Sequence, residues 1–206
     1  MNPVPIESSS TEVAVVDHHS AKGPLVNAVR GSLLVSAVER LKACGYYERY
    51  VAVLSPVLRE KLLFSLAMSW LPTDLVLQHC LACDELMLTD AELLALGGQT
   101  ANSISRVLLG SLARTAGMTP WLALGSAGRV YDRIYEGGGI SVTRLGPKDL
   151  RVEQTGNPLA ASRYFRVTAQ GFYGSLCELF CKKAYVKPIR ASDAARDSYA
   201  FAISWV

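Results

Sequence analysis

The sequence has no apolar run long and clean enough to cross a bilayer. The longest, Leu62 to Leu77, is interrupted by Ser65, Ser69, Pro72, Thr73 and Asp74, so no membrane-spanning helix is expected. Charge of one sign is also scarce: 21 Lys and Arg stand against 18 Asp and Glu. The basic residues are scattered among acidic ones, which argues against nucleic acid or a membrane surface as partner. The opening residues MNPVPIESSSTEV lack the basic start and apolar core of a secretory signal. The five cysteines are an odd number without framework spacing, which fits a reducing compartment and thiols that act as small buried hydrophobes. A cytoplasmic location is the expectation. No Gly-x-Ser-x-Gly nominates a nucleophile, and His79 is the only histidine outside the first 22 residues.

What is present is apolar bulk. Half the residues are hydrophobic and 19% are charged, a composition that calls for a well-buried core or a large subunit interface. The length of 206 residues suits one domain. Met1 to Lys22 reads as a flexible tail around one short apolar run, Val13 to Val16, which could be an edge strand; residues 23–206 read as a single α+β domain.

The first part of that domain has helical spacing. Leu34, Ala37, Val38 and Leu41 recur at three and four and predict a helix from Ser32 to Cys44, stopped by Gly45. A second short helix covers Tyr46 to Leu54. Ser55-Pro56 opens a third, running to about Trp70 with Pro72 as its stop. Thr73 or Asp74 caps a fourth that reaches Met87. Thr89-Asp90-Ala91-Glu92 is a capping box for a long helix toward Ala116, with a kink expected at Gly97-Gly98. Thr119-Pro120 opens a helix to Glu136.

After Gly137-Gly138-Gly139 the period changes from helix to strand. Ile140 to Leu145 and Leu150 to Val152, joined by Gly146-Pro147-Lys148-Asp149, predict a hairpin. Gln170 to Lys183 predicts a helix. Tyr185 to Ile189 and Tyr199 to Trp205 predict two further strands, the last with Tyr199, Phe201, Ile203 and Trp205 on one face. The C-terminal part is therefore β-β-α-β-β, an antiparallel sheet on which the earlier helices pack.

From about Val29 onward the order of landmarks resembles a family of uncharacterised proteins of this length that occurs as many paralogues in myxobacteria. The landmarks are Arg30-Gly31, Gly45, Ser69-Trp70-Leu71-Pro72, Leu96-Gly97, Pro120-Trp121, Tyr135-Glu136-Gly137-Gly138 and Ile203-Ser204-Trp205. The topology that this resemblance implies is similar to the fold of TRAPP vesicle-tethering subunits, vinyl-reductase-type ligand domains and haem nitric-oxide sensors. All of these bind something without necessarily transforming it, which is a fold-level analogy. The Tyr-x-Ser-x-Arg motif for haem propionates is missing, so no cofactor is expected and haem least of all.

Two constellations could carry chemistry. His79, Cys80 and Cys83 on one helix, with Cys177 and Cys181 on another, have spacings that put side chains on one face and could converge on zinc. Against this, zinc knuckles place Cys-x-x-Cys in tight turns, and nothing breaks the helix around Cys80; buried structural thiols account for the same residues. The second is aromatic. Trp70, Trp121, Tyr131, Tyr135, Tyr164 and Phe172 could line an apolar pocket with hydroxyls at its rim, or simply fill the core. Gly137-Gly138-Gly139 follows a helix and precedes a strand, the reverse of a phosphate cradle.

Without a catalytic constellation, the first functional expectation is a non-enzymatic binding module, a homodimer or a binder of another protein, acting in signalling or assembly. The alternative is a small-ligand sensor whose aromatic-lined pocket holds an apolar molecule. A metal-dependent enzyme using His79 and the cysteines is the third.

Overall fold

The strong alternation of the last strand sets the frame. The computed structural model describes residues 12–108, 119–192 and 197–206. Strand β8, Tyr199–Trp205, buries Tyr199, Phe201, Ile203 and Trp205 on one face, as the period of two requires. It lies between β6, Asp149–Thr155, and β7, Ala184–Ile189, with Phe201 opposite Val152. The hairpin joins β6 to β5, Gly139–Gly146, with Val142 opposite Val152. The far edge is β1, Val13–His19, so the apolar run inside the expected tail is an edge strand. The order is β1-β5-β6-β8-β7 and every pairing is antiparallel.

A second, three-stranded sheet has β2, Ala28–Arg30, between β3, Trp70–Pro72, and β4, Tyr135–Glu136. It corrects two expectations. Helix α3, Pro56–Leu63, stops seven residues short of Trp70, because Trp70 and Leu71 are held as strand partners of Arg30 and Val29 and the Gly31 amide donates to the Ser69 carbonyl. The Arg30 guanidinium lies 4.4 Å over the Trp70 ring. The single helix expected over 120–136 is two, α6, Pro120–Leu124, and α7, Ala127–Ile134, since Gly125-Ser126 breaks it and Tyr135 is drawn into β4.

The remaining helices follow their sequence signals. They are α1, Gly31–Ala43, α2, Tyr47–Val53, α4, Thr73–Asp84, and α5, Asp90–Leu108. The capping box is formed: the Glu92 amide donates to the Thr89 hydroxyl, and the Thr89 amide to the Glu92 carboxylate at 2.7 Å. The expected continuation of α5 to Ala116 lies outside the described residues. Helix α8, Arg163–Glu178, starts seven residues before Gln170, because Asn157-Pro158 begins a 3-10 turn, Pro158–Ala161, and the Ser162 hydroxyl then accepts from the Phe165 amide.

Helix α5 runs unbroken through Gly97-Gly98. These glycines instead let α8 approach: a Cβ on Gly97 would lie 1.9 Å from the Thr168 carbonyl oxygen, and one on Gly171 would lie 2.1 Å from that of Leu94. Helix α8 in turn roofs the sheet, with Phe165 edge-on to Tyr199 at 5.6 Å and Tyr173 5.0 Å from Phe201. Burying each of the large side chains of β8 contributes about 1.5–3 kcal/mol. Among the described residues, no helix is long and apolar enough to cross a membrane.

Candidate ligand-binding cavity

Helices α1, α4, α5, α7 and α8 stand around a gap. A cavity of about 490 Å³ lies between the helices and the sheet. Helix α1 contributes Leu33, Ala37 and Arg40, positions three and four apart that share a face. Helix α4 adds Val76, His79 and Cys80, and α8 adds Phe165, Ala169, Phe172 and Leu176. From α7 come Arg129, Val130, Tyr131, Arg133 and Ile134, while Gln154 of β6 and Tyr199 of β8 lie toward the sheet. The walls are thus mostly aliphatic and aromatic, with a few polar groups, the composition of a small-molecule site.

Four of the six aromatic candidates line this cavity: Tyr131, Tyr135, Tyr164 and Phe172. The two tryptophans do not. Trp70 sits in β3 under Arg30, and Trp121 packs edge-on against Trp205 at 5.0 Å, with Arg144 over its ring and its indole N–H donating to the Pro147 carbonyl. The sequence reading missed Arg40, Arg129, Arg133 and Gln154. Residues at i and i+4 on α7, the pair Arg129 and Arg133, carried a signal in their spacing; Gln154 carried none, because it was one polar residue in an alternating strand.

The polar groups near the sheet form a chain. The Asn157 side-chain amide donates to the Gln154 carbonyl oxygen at 3.1 Å, and the Gln154 amide donates to the Tyr173 hydroxyl at 3.2 Å. Burial pushes the Tyr173 phenol up to about 12, and it pushes those of Tyr135, Tyr164 and Tyr199 up as well, so all four stay protonated. Tyr131 is 2% exposed, yet its hydroxyl has no hydrogen-bond partner among the described residues. Such an orphan costs about 1–3 kcal/mol, a cost that a ligand group could relieve.

His79 is the only one of the three histidines in the lining. Its Nδ1 lies 2.8 Å from the Tyr50 hydroxyl, and its ring meets Tyr50 and Tyr164 edge-on. Complete burial pushes the imidazole down to about 4, so it is neutral. The cysteines do not complete a metal centre around it. Among the described residues, no group of three or more His, Cys, Asp and Glu side chains is placed to hold a metal ion, so His79, Cys80, Cys83, Cys177 and Cys181 are not one cluster. Burial raises the Cys80, Cys83 and Cys181 thiols and pushes that of Cys177 up to about 12, which keeps them as packing groups.

Helices around an apolar cavity above an antiparallel sheet define the class of fold. Neither a protein-family model nor a curated protein sequence matches the chain. Solved structures do: an Fe(II) unliganded H-NOX protein from K. algicida is similar with a TM-score of 0.62 and 14% identity, over 86% of this chain and 96% of that one. A variant of T. tengcongensis H-NOX is similar at 0.58 and 11%, over 85% and 97%. A third, from work on haem distortion in the H-NOX family, stands at 0.61 and 11%, over 85% and 94%. Of the folds that the landmarks resemble, that of the haem sensors is the one these structures share with the chain.

These likenesses correct the cofactor expectation. The missing Tyr-x-Ser-x-Arg counted against haem, but the solved structures of similar fold include an Fe(II) protein and one studied for its haem distortion. The residues present also fit the group in three ways. The walls are apolar, Arg129 and Arg133 can meet carboxylates, and the lining holds one neutral imidazole.

Proposed function

We propose that this chain is a small-ligand sensor domain that holds an apolar guest between its helices and its sheet. The observation that carries this reading is the cavity itself, whose volume of about 490 Å³ falls inside the range of small-molecule sites. The H-NOX-like fold supports it, and supports a sensor over the protein-interaction module expected first.

Haem is the guest that the similar structures favour. In this chain His79 is the residue to stand beside the metal, since burial holds its imidazole neutral and Tyr50 orients the ring. Arg129 and Arg133 would meet the haem carboxylates, and Val76, Phe165 and Phe172 would exclude water. A bound haem would supply an iron centre open to a small gas molecule.

Titration of the full chain with hemin tests this. The expected result is saturation at one equivalent, a shifted Soret band, and a melting temperature raised by roughly 5–10 °C at a hundredfold excess over Kd. Saturable binding of protoporphyrin IX without a shift for hemin would remove the iron and keep the sensor. Failure of hemin, protoporphyrin IX and long-chain acyl probes alike to bind or to raise the melting temperature would overturn the reading.

A further inference from the structure

The charged groups around the cavity are all of one sign. Arg40, Arg129 and Arg133 are in its lining, and no aspartate or glutamate is, among the described residues. Arg40 is tied by its Nε to the Thr100 hydroxyl at 3.0 Å, inside the helical wall. The α7 pair is different. Arg129 and Arg133 are four residues apart, on one side of α7, and both are exposed to solvent. Neither is in a salt bridge with a described residue: Arg129 donates only to the Ser126 hydroxyl, at 3.2 Å. The acid between them in sequence, Asp132, is engaged by His18 Nε2 of β1 at 2.8 Å. Two guanidinium groups therefore stand at the edge of a large apolar space with no counter-charge in its lining.

A neutral apolar guest would leave this arrangement without a use, and a cationic one would be repelled. An acid at one end of an apolar body meets both parts: the body displaces water from the walls, and the acid accepts paired N–H donors from a planar guanidinium. We propose that the cavity selects apolar molecules that carry a carboxylate, with Arg129 and Arg133 as the specificity-determining residues at its mouth. This rests on the sensor reading above and narrows its ligand class. Two sources share the chemistry, a tetrapyrrole with its propionates and a long-chain fatty acid.

Equilibrium binding by the full chain separates the cases. The probes are protoporphyrin IX and its dimethyl ester, and oleate and oleyl alcohol. Each acid is expected to bind roughly tenfold more tightly than its neutral counterpart, the worth of one charge-assisted contact. Whichever acid binds more tightly identifies the source. In the Arg129→Gln/Arg133→Gln double variant that preference should vanish while the neutral probes bind as before, which shows the cavity intact. The Lys/Lys double variant should keep most of it. Equal affinity for acid and neutral forms in the unaltered chain overturns the proposal and leaves the sensor reading standing. So does an acid preference that survives the Gln substitutions. Binding of none of the four probes overturns both.

Discussion

The Tyr50 hydroxyl and Nδ1 of His79 lie 2.8 Å apart where α2 meets α4, with both side chains buried. That bond satisfies one ring nitrogen and fixes the imidazole plane against the cavity wall. Tyr50→Phe should therefore cost about 1–3 kcal/mol, since it leaves a buried nitrogen without its partner. Urea unfolding would read this as a lower midpoint with an unchanged slope.

The same imidazole gives the protein a pH dependence. Burial pushes it from its ordinary 6.5 down to about 4, so between those values the unfolded chain binds the proton and the folded chain does not. Its contribution is present in full above about pH 6.5 and is lost as pH falls toward 4, a change of about 3 kcal/mol. Urea midpoints of the unaltered chain and of His79→Gln, measured from pH 7 to pH 5, should converge as the pH drops. Parallel curves would assign the acid sensitivity to other groups.

Tyr131 makes the opposite prediction. Its hydroxyl is buried without a partner, so Tyr131→Phe should be neutral or should stabilise the ligand-free protein by up to about 1 kcal/mol. A loss of affinity for the guest without a loss of stability would show that the hydroxyl bonds to the ligand. Thermal melts with and without the best-binding probe separate the two effects.

The contact of α5 with α8 depends on backbone proximity. Gly171→Ala would put a methyl 2.1 Å from the Leu94 carbonyl and should cost about 3 kcal/mol or more, because neither helix can yield locally. Gly98→Ala would come closest to the Ser175 hydroxyl, at 2.6 Å, which can rotate away, with its next neighbours at 3.6 and 3.8 Å. Its effect should be small or stabilising, as alanine is the better helix former. A comparison of the two denaturation midpoints checks this.

On the sheet, Glu153 is 4% exposed and ties a distant segment in place. Burial raises its carboxyl, but the Arg151 guanidinium at 2.6 Å and the Ser192 amide outweigh that and hold it below the usual carboxylate range. Glu153→Ala should cost about 1–3 kcal/mol, since it removes the carboxylate that accepts from the Arg151 guanidinium and the Ser192 amide, while Arg151 keeps the Arg190 carbonyl and the Ser192 hydroxyl. Amide exchange at Ser192 should quicken more than that at Val142, which lies in the sheet interior.

Elements whose signals are local were legible along the chain. Ser55-Pro56 started α3, Thr89 and Glu92 capped α5, and the alternation from Tyr199 to Trp205 marked β8, because caps and side-chain periods depend on neighbours a few residues away. The β-β-α-β-β order was legible for the same reason. The remaining assignments involve partners far along the chain. Trp70 belongs to a strand and not a helix because Arg30, forty residues earlier, supplies its backbone partner. Gly97 is a point of helix contact because Thr168 lies against it. The cavity, with lining from α1, α4, α5, α7, α8 and the sheet, exists only once the helices have packed, and no spacing along the chain encodes that assembly.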